Sequence, residues 1–255
     1  MPRFCYGWHQ PLPIRPKLCF APKHASLDAL PQELDWAMKY RNWPAVYNQY
    51  QTSSCVGQGL KRVVHTLQIE QGLPQVIEPS SSFIYYNARE LEGSADQDCG
   101  ANVCDGMLSL VVEGFCAEKD WPLAPVFITV RPSYPAYEAA QQHRIDDYAP
   151  ALVDNTNIQA FLEALNVRPL VGGIVCFNSF QAPDVIRTGL VRMPGLDESE
   201  EGGHCMFYRG YSIPRRTIFF DNSWGPEYGI RGTGEIPFEY IQRFGSDFWL
   251  ALKVS

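Results

Sequence analysis

The sequence predicts an α+β fold: a helical first half followed by an antiparallel, barrel-like second half. Three observations predict it. Apolar residues recur at helical spacing between positions 54 and 113. Short runs rich in β-branched and aromatic residues, punctuated by Gly and Pro, dominate from 170 onward. The chain has 255 residues and is 45% hydrophobic, enough for one large domain or two lobes sharing a cleft.

The clearest helix covers 54–69, where Val56, Leu60, Val63, Val64 and Leu67 share one face. Ser53 and Ser54 precede it as cap candidates, and Gly72-Leu73-Pro74 ends it. A second helix starts at Ser80 or Ser81, runs through Ile84, Tyr85, Ala88 and Leu91, and stops at Gly93. A third lies near 106–113, before Gly114. These three predict a helical lobe over about 45–150. In the β lobe, about 151–255, a short helix at 157–165 precedes strands at 170–177, 204–211, 217–221 and 248–254. Residues 194–203 read as an acidic loop. Residues 1–35 hold six prolines and no sustained periodicity, and read as an extended arm or short pro-segment lying on the 36–255 body.

Bulk properties narrow the function. The net charge is −7 and the pI about 5.3, which argues against nucleic acid or an anionic membrane as a general partner. No apolar run is long enough to span a membrane. Nor does the N-terminus carry the apolar core of a secretory signal, so the expected location is cytoplasmic, or outside by a non-classical route. The eight cysteines are widely spaced, which favours free thiols over a disulfide framework. Cys99, Cys104 and Cys116 have no second ligand pair at zinc-finger spacing, so no metal or cofactor is expected.

Cys55 stands at a helix start, where free amides favour a thiolate. By itself it reads equally as a small buried residue. Gln49, six residues upstream, can aim its amide at the same point and form an oxyanion hole with the helix amides. His204 follows two glycines at the head of a strand, with Met206 and Tyr208 on its face and Cys205 and Phe207 on the other. Asn222 ends the next strand. His204 and Asn222 both lie nine residues from Ile213, so a hairpin in that register sets them side by side. An Asn there can fix the imidazole tautomer while the other ring nitrogen faces a thiol.

These residues resemble the papain-like cysteine peptidases. The resemblance is carried by Gln49-x5-Cys55, by Gly203-His204 heading a strand that ends in Gly210-Tyr211, and by Asn222-Ser223-Trp224-Gly225 followed by Tyr228-Gly229-Ile230-Arg231-Gly232. It covers about 34–254 and is nearest to compact bacterial and phage-type members. It implies a two-lobed fold with the active site between the lobes. It also implies a cysteine endopeptidase with Cys55 as nucleophile, His204 as base, Asn222 as orienter and Gln49 as oxyanion donor. Gly100, Ala101, Gly203 and Trp224 would line the substrate site, the first three meeting substrate backbone and Trp224 also shielding the His204–Asn222 hydrogen bond. Val56, Thr52, Ala101 and Cys205 depart from the usual family pattern without removing a catalytic group. A peptide or protein would be the substrate, and residues 1–35 could inhibit by crossing the cleft. Two other functions remain open: another acyl transfer at this site, deamidation or peptide ligation, or a non-catalytic binding protein on this fold.

Overall fold

The computed structural model describes residues 4–10, 27–151 and 158–255. Strand β1 (Glu33–Asp35) leads into the body. Three helices follow: α1 (Cys55–Glu70), α2 (Ser81–Glu92) and α3 (Val103–Val112). After α4 (Tyr134–Ala140) come β2 (Ile145–Ala151), α5 (Gln159–Val167), β3 (Leu170–Phe177) and α6 (Pro183–Thr188). The chain closes with β4 (Glu200–Ser212), β5 (Thr217–Asp221), β6 (Thr233–Pro237), α7 (Phe238–Phe244) and β7 (Gly245–Val254). No described helix is long and apolar enough to cross a membrane.

Local chemistry sets these boundaries. Ser80 caps α2 by accepting from the Phe83 amide, and Gly93 ends it in the left-handed region at φ 74°. Asn102 accepts from Asp105 and starts α3 at Val103, three residues before the start the sequence suggests. Ser54 precedes α1 but gives it no side-chain cap; its hydroxyl lies 2.7 Å from that of Thr52. The expected helix at 157–165 is shifted to Gln159–Val167, and Asn157 lies outside the described residues.

The strands form one antiparallel sheet in the order β2-β7-β3-β4-β5-β6, with β1 paired to the far end of β4. The sheet is open and is not closed into a barrel. β4 begins at Glu200, four residues earlier than the sequence suggests. The tail of the acidic loop is drawn into the sheet because Gly202 and Gly203 pair with Cys176 and Val175 of β3. The β4–β5 hairpin also slips from the simple register. Phe207 faces Asp221, and an irregularity falls between Tyr208 and Gly210.

Alternation along β4 divides the interior. Met206 and Tyr208 join one core with Phe161, Phe180, Trp224 and Phe248. Cys205 and Phe207 join another with Val56, Leu60 and Val64 of α1. Helix α1 therefore lies on the sheet, which brings Cys55 at its first turn to the Cys205 backbone.

A buried ion network fastens this junction. Arg62 of α1 donates to Asp221 Oδ2 at 2.5 Å and to the Ala45 carbonyl. Asp221 Oδ1 lies 2.9 Å from Arg209 Nε, and Arg209 also pairs with Asp35 of β1. Asp221 immediately precedes Asn222, so the helix that starts at Cys55 is tied to the strand end that carries Asn222.

Candidate active site

The four proposed catalytic residues converge. Cys55, Gln49, His204 and Asn222 are all buried. The His204 Nε2 lies 2.8 Å from Asn222 Oδ1. Asn222 Oδ1 also accepts the Ser223 amide at 2.7 Å, which fixes the side-chain oxygen toward the imidazole. An oxygen acceptor on Nε2 puts the ring proton there and leaves Nδ1 as the basic nitrogen. Nδ1 is buried and has no hydrogen-bond partner among the described residues. Trp224 stacks on the ring at 4.7 Å between centroids, and Phe180 meets it edge-on at 6.2 Å. Both pack against the imidazole, and His204 and Asn222 are buried.

Gln49 is aimed from both ends. Ser223 donates its hydroxyl to Gln49 Oε1 at 2.6 Å. This forces the amide nitrogen to the other side, where it donates to Thr52 O at 2.8 Å and to Cys5 O at 3.2 Å. The Cys55 thiol accepts the Cys205 amide at 3.4 Å, and the Gly7 and Val56 amides also bond to it. The sequence offered no signal for the roles of Ser223 and Thr52. Ser223 acts through a partner 174 residues away, and Thr52 through a backbone carbonyl that its residue type does not mark.

The cleft beside these groups is filled by residues 4–9 of the same chain. Trp8 forms an antiparallel bridge with Gly203 and a parallel one with Ala101. Trp8 N–H donates to Gly203 O at 2.8 Å, Ala101 N–H to Gly7 O at 2.8 Å, and His9 N–H to Ala101 O at 3.2 Å. Gly100, Ala101 and Gly203, expected to meet substrate backbone, here meet the arm. Phe4 stacks on Trp224 at 4.4 Å, and Tyr6 meets His204 edge-on at 5.9 Å. Gln181, which the sequence did not single out, donates to Phe4 O and accepts from Phe4 N–H. Glycine at position 7 is required by the fit: a Cβ there would lie 1.8 Å from Ser53 O.

This packing controls the charges. Burial raises the Cys55 pKa to about 12, against the smaller opposing pull of the amides around its sulfur. Burial lowers the His204 pKa to about 4, opposed by its bond to Asn222. With residues 4–9 in this place the site holds a neutral thiol and a neutral imidazole. A form in which water reached His204 would return it toward its ordinary value of about 6.5. Relative to such a form, the arrangement seen here would keep its full advantage above about pH 6.5 and lose it as pH falls toward 4, by about 1.4 kcal/mol per pH unit. His9 works in the opposite sense, because its hydrogen bond to Glu92 raises its pKa; being half-exposed, it is screened and weighs less. Ring titration followed by NMR should find His204 neutral down to about pH 5 in the native chain. Protonation near pH 6.5 with the arm seated would contradict this account.

All described cysteines carry free thiols, while Cys19 lies outside the described residues. No family model matches the chain. An uncharacterized peptidase C1-like protein, L477, of Acanthamoeba polyphaga mimivirus is 34% identical over 210 residues, covering 79% of this chain and 68% of that protein. The structure of xylellain, a cysteine protease from Xylella fastidiosa, superposes with a TM-score of 0.86. It is 28% identical and covers 97% of this chain and 96% of its own. The ragweed pollen cysteine protease Amb a 11, solved in its proform, has the same fold with a TM-score of 0.63 and 15% identity, over 89% of this chain and 67% of its own. With a relative this similar over most of its length, and a cysteine protease matching nearly the whole fold, the chain belongs to the papain-like, C1-like cysteine peptidases, which are hydrolases.

Proposed function

We propose that this chain is an endopeptidase that cleaves peptide bonds with Cys55, His204, Asn222 and Gln49, and that its own N-terminal arm holds the site closed. The single observation that carries the reading is the Cys5 carbonyl bonded to the Gln49 amide. On this reading that carbonyl oxygen stands in for a substrate oxyanion, and the buried Cys55 thiol and the imidazole bonded to Asn222 belong to the same site.

With the arm displaced, Nδ1 of His204 takes the Cys55 proton and the thiolate attacks the scissile carbonyl. The Gln49 side chain and the Cys55 backbone amide hold the oxyanion, where one donor is worth about 10²–10³ in rate. His204 protonates the leaving amine, then takes a proton from water as it hydrolyses the thioester. Asn222 keeps the tautomer, and Trp224 keeps water from that bond. Ala101 and Gly203 bind substrate backbone as they now bind residues 7–9, and Gly100 lies against it as it now lies against Gly7. On this reading residues 1–35 form the arm and 36–255 the peptidase domain, with lobes at about 45–150 and 151–255. The proform of the ragweed protease supports treating the arm as an inhibitory segment.

Product masses from a mixed peptide library test the reaction. Hydrolysis adds one water across each cut bond, ligation removes one, and deamidation leaves the chain uncut. The expected outcome is new termini made by the full-length chain, and none after Cys55→Ala, with folding retained by circular dichroism. Cleavage that survives Cys55→Ala would refute the nucleophile.

A further inference from the structure

Ala101 holds the arm by backbone alone. Its N–H donates to Gly7 O at 2.8 Å, and its carbonyl accepts the His9 N–H at 3.2 Å. Both bonds depend on where that backbone is set. Behind it, the Gly100 N–H donates to the Tyr85 hydroxyl at 2.9 Å, and this hydroxyl donates to Asp98 Oδ1 at 2.8 Å. The Asp98 carboxylate accepts the Ser53 N–H at 3.1 Å on both oxygens. Ser53 stands two residues before Cys55. A continuous hydrogen-bonded path therefore joins the residue before Ala101 to the loop that carries the thiol.

Each link is fixed in turn. Tyr85 is buried on α2, with the Arg89 guanidinium 3.8 Å from its ring centroid. Arg89, also buried, donates to the Ala95, Gln97 and Ile128 carbonyls and so shapes the loop that carries Asp98. Burial raises the Tyr85 pKa, so the phenol keeps the proton it shares with Asp98. Gly100 has φ 90°, and a Cβ there would lie 2.3 Å from Gly7 O. No side chain at position 100 can do the aiming, which falls to its N–H. On the far side, the Asn102 N–H bonds Glu92 Oε1 at 2.9 Å and the Val103 N–H bonds Asp247 Oδ2 at 2.6 Å. Ala101 is thus held between two anchored ends, and the Tyr85–Asp98 end is tied to the Cys55 loop.

We infer that Tyr85 and Asp98 are positioning residues, which set the Ala101 backbone in register with Cys55 for whatever extended chain lies in the cleft. That chain is the arm now and a peptide when the arm leaves; the peptide half rests on the peptidase reading. Their loss should weaken binding and spare the chemical step. Gln49 is held independently by Ser223 and Thr52, and Ala101 grips the chain's backbone in ground and transition state alike.

The test compares Tyr85→Phe, Asp98→Ala and the double variant by peptide hydrolysis, all in the full-length Gly7→Ala chain. Each single substitution should raise KM about three- to tenfold and leave kcat within about twofold. The double variant should add no more than about twofold to the larger single effect, because both break one path. Asp98→Asn keeps an oxygen acceptor and should return KM to within about twofold of the parent. A role in folding alone would lower the melting temperature and leave KM where it was. Unchanged KM, a kcat loss without a KM rise, or single effects that multiply in the double variant would overturn the inference. Iodoacetamide labelling of Cys55 gives a second reading that needs no turnover. With the native arm in place, Tyr85→Phe should raise the labelling rate about three- to tenfold, and an unchanged rate would also overturn the inference. If Tyr85→Phe fails to fold, Asp98→Ala, at an exposed position, decides in its place. A Gly7→Ala parent that cuts no peptide counts against the peptidase reading alone, and the labelling rate then decides this inference.

Discussion

A Gly7→Ala substitution in the full-length chain should raise the rate of Cys55 alkylation by iodoacetamide about ten- to a hundredfold. The native arm packs Gly7 so tightly on the Ser53 backbone that a methyl group would lie 1.8 Å from the Ser53 oxygen. Backbone does not yield as a flexible side chain does, so the arm must lift. Overpacking of this kind costs about 1–3 kcal/mol, and each 1.4 kcal/mol shifts an equilibrium tenfold. The loss falls on the closed form because Gly7 touches the cleft only there. Lifting the arm frees the Cys5 carbonyl from Gln49, uncovers Trp224 and lets water reach the thiol and the imidazole. Mass spectrometry of the labelled chain reads the rate at Cys55 directly. An unchanged rate would mean that residues 4–9 do not close the site.

Asp221→Ala should destabilise the fold by about 3–5 kcal/mol, the cost of removing one partner of a buried ion pair. Asp221 is 3% exposed and serves two arginines from two different elements. Without it, Arg62 is left charged inside the protein with neutral partners such as the Ala45 carbonyl and the Tyr47 hydroxyl in place of a carboxylate. Replacement by a smaller neutral residue also leaves a void beside α1. Urea unfolding followed by circular dichroism measures the loss. A change below about 1 kcal/mol would show that the network is not what fastens α1 to β5. Asn222 follows Asp221 directly, so the surviving folded fraction should also lose precision in the Asn222–His204 pair.

The parts of this molecule visible in its sequence are those whose signal is local. Helix α1 could be read because its apolar residues repeat within sixteen positions, and α2 because Ser80 and Gly93 punctuate it. The face of His204 followed from strand alternation. Strand β2 was missed because Asp146, Asp147 and Pro150 interrupt its pattern, and β6 because Gly234 and Pro237 break a run of five. The hairpin register differs from the spacing argument because the turn is centred between Pro214 and Arg215, with Ser212 facing Thr217, and the irregularity near Tyr208 moves it back only slightly. The nearness of His204 to Asn222 nevertheless survives, because Asn222 reaches the ring from the strand end rather than from across a ladder pair.

The site divides in the same way. The residues proposed for catalysis sit in short motifs, while those that hold and fill the site come from far away in the chain. Asp247 is one acid among many until Trp8, 239 residues earlier, is laid against it. Residues 4–9 carry no periodicity, and their path through the cleft depends on Gly100, Ala101, Gly203 and Gln181 taken together.

Peptide hydrolysis by the full-length native and Gly7→Ala chains, each with and without Cys55→Ala, tests most directly the claim of a cysteine peptidase closed by its own arm. The account predicts slow cleavage by the native chain, cleavage about ten- to a hundredfold faster after Gly7→Ala, and none from either chain lacking the Cys55 thiol. Equal rates for the native and Gly7→Ala chains, or cleavage that persists without the thiol, would contradict it.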